Sequence, residues 1–268
     1  MSDTTLLVPI EARGPLAGFR NMLGKELGTW WRRPRWLLHL VLWVAVINGF
    51  LLLVQFGEPT GPDGAAATDA AGKLTAMLEV FFRVGGFFAT IGVVTAAQDV
   101  MLKERQMGTA AWVLTKPLAR PALVLAKFLA TTVAVAVLMT VVPMVVFLVQ
   151  ARVGLGQGPD LARFVAAAGL LLASHLFYLA LTLCLGTVFN ARGAVTGSAI
   201  GFLFAGQIVG ALRPELNHIF PWMVHGFAAA LAQGAPRPEW WWQPVAATVA
   251  WTVGLVALAV WRFEQEEF

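Results

Sequence analysis

Six apolar runs, each long enough to cross a lipid bilayer, limit what this chain can fold into more than any other feature. A hydrocarbon core about 30 Å thick needs about 20 helical residues at ~1.5 Å each. The stretches 36–56, 80–97, 128–149, 164–189, 194–212 and 244–261 meet that requirement. Lipid offers no partners to backbone N–H and C=O groups, so an uninterrupted apolar run has to be a helix. Barrel strands would instead alternate over ~10 residues. The expected fold is an all-α membrane protein with six transmembrane helices in one membrane domain, 1–268. Composition supports this: 58% of residues are hydrophobic and only 13% charged, against about 25% charged in soluble domains. A single cysteine, Cys184, argues against a disulfide-stapled secreted fold. The net charge of +4 does not point to nucleic acid, because the basic residues sit beside the apolar runs and form no free arm. A long, mostly polar segment precedes the first run, so no cleaved signal is expected there.

Charge then orients the spans, since Lys and Arg concentrate on the cytoplasmic side. With the N-terminus inside, thirteen of the 19 basic residues fall on the inner side. They include Lys25, Arg32, Arg33, Arg35, Lys103, Arg105, Arg120 and Lys127, whereas Lys73, Arg83, Arg152, Arg163, Arg213 and Arg237 fall outside. Both termini are therefore expected in the cytoplasm, and the chain in a cell membrane. Trp30, Trp31 and Trp36 mark the inner boundary and Trp240, Trp241 and Trp242 the outer one, where amphipathic indoles settle.

Between the spans, 15–35 spaces Phe19, Met22, Leu23, Leu27, Trp30 and Trp31 three or four apart among basic residues. That pattern predicts an interfacial amphipathic helix on the inner surface. The segment 57–72 reads as a flexible outer loop rich in Gly, Ala and Pro. In 213–242, Pro214, Pro221, Pro236 and Pro238 frame a short apolar piece, 223–232. Too short to span, it is expected to dip into the outer leaflet as a re-entrant segment before the last span.

An ATP-hydrolysing chain needs a Gly-rich phosphate cradle. The nearest approach, from Gly18 to Gly24-Lys25-Glu26, has five residues between the glycines and Glu where Ser or Thr should hold Mg²⁺. No cofactor is expected in this chain. His39 and His175 lie in spans and could ligate haem or relay protons, or simply hydrogen-bond between helices. His218 and His225, seven apart, could share a helix face, although Pro221 interrupts it.

The most informative loop is 99–121. At ~100° per residue Val100, Met107, Ala111 and Leu114 form one narrow apolar stripe, with Arg105, Gln106 and Thr109 opposite. Glu104 stands at the stripe's edge, where a carboxylate wants a cation or backbone N–H. Gly108 permits a corner, and Thr109 can cap a short helix that Pro117 ends. Such a loop is equally a solvated connection or a docking surface. In span five, Gly193, Gly197 and Gly201 repeat every four residues, a spacing that lets helix backbones approach closely in lipid, within one subunit or between two.

Glu104, Gly108, Thr109, Leu114, Pro117, Arg120 and Lys127, between the second and third spans, resemble the signature loop of ABC-2-type permeases, the membrane subunits of ATP-binding-cassette exporters. Lys25 and Glu26, before the basic cluster that includes Arg32, resemble that family's N-terminal segment. The resemblance implies a coupling loop that docks on a separate ATPase subunit, which would carry ATP and Mg²⁺. It also implies a second permease copy, in a homodimer or heterodimer, and no catalysis by this chain. Two other readings remain at this stage: a membrane anchor or assembly factor without transport, and a haem- or metal-binding integral membrane protein.

Overall fold

The computed structural model describes residues 14–32, 34–57, 69–106 and 118–266. Among them all regular structure is helical. Helix α1 is Phe19–Trp31 and α2 is Arg35–Phe56. The long helices α3, Ala70–Arg105, and α4, Arg120–Leu155, follow, then α5, Leu161–Val188, and α6, Arg192–Leu212. Two 3₁₀ turns, Pro214–His218 and Pro221–Met223, lead into the short α7, Val224–Gln233. Helix α8, Glu239–Glu264, closes the chain. Six of these helices, all but α1 and α7, are long and apolar enough to cross a membrane.

The helices outrun the apolar stretches. Helix α3 starts ten residues before position 80 because Asp69 caps it, its carboxylate accepting from Gly72 N at 2.9 Å. Asp160 caps α5 in the same way, accepting from Arg163 N at 2.9 Å. Gly156 (φ 69°) and Gly234 (φ 71°) terminate α4 and α7 in the left-handed conformation that glycine adopts without steric cost. Inside α4, Pro143 has no N–H to give to Met139. The helix widens into a π turn over Ala136–Val141, and Val142 N–H reaches Val137 O, five residues back. Asn48 Nδ2 donates to the Pro143 carbonyl at 3.0 Å, tying α2 to the distortion.

Helix α5 is the axis of the bundle, in contact with α3, α4, α6, α7 and α8. Over half of its apolar window, 56%, is buried, against 17% for α8. Phe81 and Phe82 from a π turn in α3 stack with Phe147 and Phe164 to form an aromatic centre. Large apolar side chains such as Leu38, Leu53, Val153 and Val253 face outward. That is the reverse of a soluble protein's surface and suits a lipid environment. Helix α1 lies against the start of α4. Its Phe19, Met22 and Leu23 pack on Leu123, Val124 and Phe263, so part of the stripe expected to face a membrane surface meets protein.

Candidate functional site

At the end of the bundle where α1, the close of α3, the start of α4 and the close of α8 converge, charged side chains are buried together. Lys127, on the second turn of α4, is only 6% exposed. Its Nζ lies 3.1 Å from Glu26 Oε1 of α1 and 2.9 Å from Glu104 Oε1 of α3. An isolated buried ammonium would be very costly, and two carboxylates supply both charge compensation and hydrogen-bond acceptors. The triad bolts three segments of the chain to one atom.

Beside it, two guanidinium groups close helix ends. The last carbonyls of a helix have no internal partner and carry partial negative charge. Arg105 Nη1 donates to Phe189 O at 2.9 Å and Gly186 O at 3.3 Å, capping α5, and its Nη2 pairs with Glu266 at 2.5 Å. Arg120 Nη1 donates to Glu264 O at 2.6 Å and Glu266 O at 2.7 Å, capping α8. Asp99 joins Lys103 at 2.9 Å and Arg192, the first residue of α6, at 2.7 Å. Met101 and Leu102 are fully buried. Both described ends of the 99–121 segment are thus held by the ends of α1, α5, α6 and α8.

Of the residues singled out by sequence, Glu26, Glu104 and Lys127 meet, and Arg120 stands next to them. Lys25 and Arg32 are exposed on α1, apart from the triad. Gly108, Thr109, Leu114 and Pro117 lie outside the described residues, as does the short helix expected around them. Gly193, Gly197 and Gly201 line an exposed face of α6 with nothing within 4 Å of where a Cβ would stand. None of the described residues packs there. Sequence reasoning missed Arg105, Asp99 and Glu266 as anchors. The available signal was an acidic run directly after the last apolar stretch, on the same side as the basic clusters.

At the opposite end a cavity of about 650 Å³ opens between α3, α6 and the segment leading into α7. Arg83, Phe87, Gln207, Asn217, Trp222 and His225 are among the residues around it. Arg83 pairs with Glu79, which accepts from Gln233 Nε2 at 2.8 Å. A Cβ on Gly206 would collide with the Trp222 ring, and one on Gly210 would stand 2.6 Å from Asn217 Oδ1. These two glycines admit the wall of the cavity. Arg83 sits within the second apolar run, and an ionisable residue there is itself a signal of function that the charge count passed over.

The histidines divide differently from the expected pairing. His218 and His225 do not share a helix face, because the turn at Pro221 redirects the chain. His218 Nδ1 is 2.8 Å from Gln243 Oε1, whereas His225 turns inward to Ser174 Oγ at 3.2 Å. His225 also lies beside His175, ring centroids 6.5 Å apart, and His175 Nδ1 is 3.3 Å from Thr140 Oγ1 on the neighbouring helix. His39 Nδ1 accepts from Trp43 Nε1 at 3.4 Å, one turn along α2. Among the described residues no three His, Cys, Asp or Glu side chains converge as metal ligands would.

The family comparison covers nearly all of this architecture. The family model described as "ABC-2 family transporter protein" matches residues 20–268, from α1 through the end of α8. No curated protein matches the chain. With six helices fit to cross a bilayer and a family match over almost its whole length, the chain belongs to the ABC-2 transporter family of multi-pass membrane proteins.

Proposed function

We propose that this chain is the permease subunit of an ABC exporter, forming the translocation path and borrowing its energy from a separate ATPase subunit. The observation that carries the reading is the buried triad of Lys127, Glu26 and Glu104. A loop that transmits force needs rigid anchors at both ends, and the 99–121 segment is anchored through Glu104 and Arg105 on one side and Arg120 and Lys127 on the other. Between those anchors Gly108, Thr109, Leu114 and Pro117 form the surface that docks on the ATPase. ATP and Mg²⁺ bind to that partner. Closure of the ATPases pushes the loop, and α1 moves with it through Glu26 while the attached ends of α5 and α8 transmit the displacement into the bundle. That is a rigid-body switch between two packed arrangements.

In this reading both termini and the ionic cluster face the cytoplasm, and the large cavity and α7 face outward, with α7 as the re-entrant piece. The membrane is the inner membrane of a bacterium. The open glycine face of α6 receives a second permease copy, identical or related, because small residues allow close helix approach in lipid.

The test is co-expression with a candidate ATPase. The purified chain alone is expected to bind and hydrolyse no ATP, and the pair to co-purify with hydrolysis that Glu104→Ala or Gly108→Val reduces at least several-fold. If both variants keep full hydrolysis, transport and partner retention, the loop is not the coupling element, and a passive anchor is the better description. Cysteines at Thr109 and Gln265 are expected to react only with reagent from the cytoplasm, and one at Gly64 only from outside. The opposite labelling would overturn the orientation.

A further inference from the structure

Arg83 is a charged residue that the ionic cluster does not absorb. It sits inside the second apolar run, where a cation is costly unless something meets it, and its side chain is 56% exposed. Its Nε pairs with Glu79, one turn back on α3. Its Nη1, Cζ and Nη2 lie 3.3, 3.4 and 3.4 Å from where a Cβ on Gly226 would stand. Three nearly equal distances mean that the guanidinium plane lies flat over that glycine, and a side chain there would lift it off α7. The face of the group is therefore covered. Its Nη1–Nη2 edge is left to the cavity of about 650 Å³ that Arg83 and Gly226 both line.

The wall selects the chemistry. Among the described residues around the cavity Arg83 is the one Lys or Arg, and there is no Asp or Glu. Glu79, which offsets part of its charge, and Gln233, which donates to Glu79, are not among them. The cavity thus meets the cation and not the carboxylate. A guanidinium edge presents two parallel N–H groups, the geometry that fits two oxygens of a phosphate or carboxylate. Val84, Phe87, Ala211 and Met223 make much of the remaining lining apolar, which suits a hydrocarbon chain and not a free, fully hydrated anion. The volume is within the ordinary range for small-molecule sites.

We propose that this cavity binds an amphiphile by its oxyanion head, whose oxygens accept from Arg83 Nη1 and Nη2 while its chain lies on the apolar wall. Glu79 holds Nε, which fixes the plane of the fork and lowers the charge the head meets. The inference rests on the permease reading only in taking the cavity as part of the path, and it names the class of molecule received there.

The test is a native mass spectrometry titration of the full chain in non-ionic detergent, without ATPase or nucleotide. The probes are dihexanoyl phosphatidic acid, dihexanoylglycerol, which has the same chains and no phosphate, and inorganic phosphate. Phosphatidic acid is expected to bind about 10-fold more tightly than dihexanoylglycerol, the ratio one charge-assisted hydrogen bond can produce. Inorganic phosphate is expected to bind weakest. Arg83→Gln should reduce phosphatidic acid to the affinity of dihexanoylglycerol. Glu79→Gln should instead raise its affinity about 3-fold, the worth of removing one like charge near a half-exposed site. A pair that only holds α3 together would be disturbed alike by either substitution, so the opposite directions are the signature. Arg83→Gln combined with Glu79→Gln leaves no unpaired carboxylate to destabilise the fold, and it should bind phosphatidic acid as weakly as Arg83→Gln alone. Equal binding of the two lipids, full binding by the double variant, a loss in Glu79→Gln matching that in Arg83→Gln, or inorganic phosphate binding as tightly as the lipid would each overturn the proposal. Because no ATPase is present, a negative result here leaves the coupling reading intact, and a failure of coupling leaves this result intact.

Discussion

Lys127 at one end of the bundle and Asn217 at the other are almost equally buried, 5% and 7% exposed as whole residues, yet their surroundings differ completely. Lys127 lies between two carboxylates, and the neighbouring guanidiniums close two helix ends. Asn217 uses its amide nitrogen, and among the described residues its oxygen, packed against Gly210, and the Trp222 indole N–H, packed against Gly206, have no partner. A buried cation with a carboxylate on either side has one favourable arrangement and resists deformation, which suits a joint. Asn217 is held mainly by packing against Gly210, with one hydrogen bond. Burial alone therefore does not distinguish the two environments.

The comparison can be broken first at Lys127. Lys127→Met removes the cation shared by the buried carboxylates of Glu26 and Glu104, a change that typically costs about 3–5 kcal/mol. The detergent melting temperature should fall sharply. Adding Glu26→Gln and Glu104→Gln to Lys127→Met should recover much of the loss, because the buried charge is then gone. A triple variant no better than the single one would mean that the cluster is not held by this charge balance.

Arg120→Gln should come next, at about 1.5–3 kcal/mol, the usual worth of a charge-assisted hydrogen bond. Its signature is local: amide exchange at the end of α8 should accelerate while the core of α5 stays protected. Uniform acceleration would assign Arg120 a global role instead of a capping one.

The two sets of glycines on α6 sharpen the contrast within one helix. Gly206→Val places a branched side chain against the Trp222 ring, an overpacking that typically costs about 1–3 kcal/mol. Gly197→Val meets nothing within 4 Å. It should leave the monomer's stability within about 0.5 kcal/mol of wild type and weaken self-association in cross-linking. Loss of stability in both would mean that the exposed face is packed in the monomer, and loss in neither would remove the distinction.

Much of this was legible in the chain. Length and apolarity dictate six spanning helices, since a backbone in lipid has no other way to satisfy itself, and six such helices are present. Glu104 at the edge of an apolar stripe needed a cation, and Lys127 supplies one, 23 positions along a chain that turns back on itself. The helix ends were less legible. Asp69 begins α3 well before the apolar run, because a cap acts on the backbone and is blind to hydropathy.

By itself, then, the sequence determined the class of fold, the number of spans and which loop carries the concentrated charge, because these follow from local periodicity and the solvent each segment can tolerate. Only the tertiary structure decided that Glu26, from the first helix, shares Lys127 with Glu104, and that Glu266, from the last residues, reaches Arg105. It alone decided that His225 turns toward Ser174 and that Gly206 and Gly210 admit Trp222 and Asn217 while Gly197 meets nothing. The physical reason is the same in each case. A charge or a small residue states what kind of neighbour it needs, but the neighbour comes from a distant stretch of chain, and its identity is set when the helices pack.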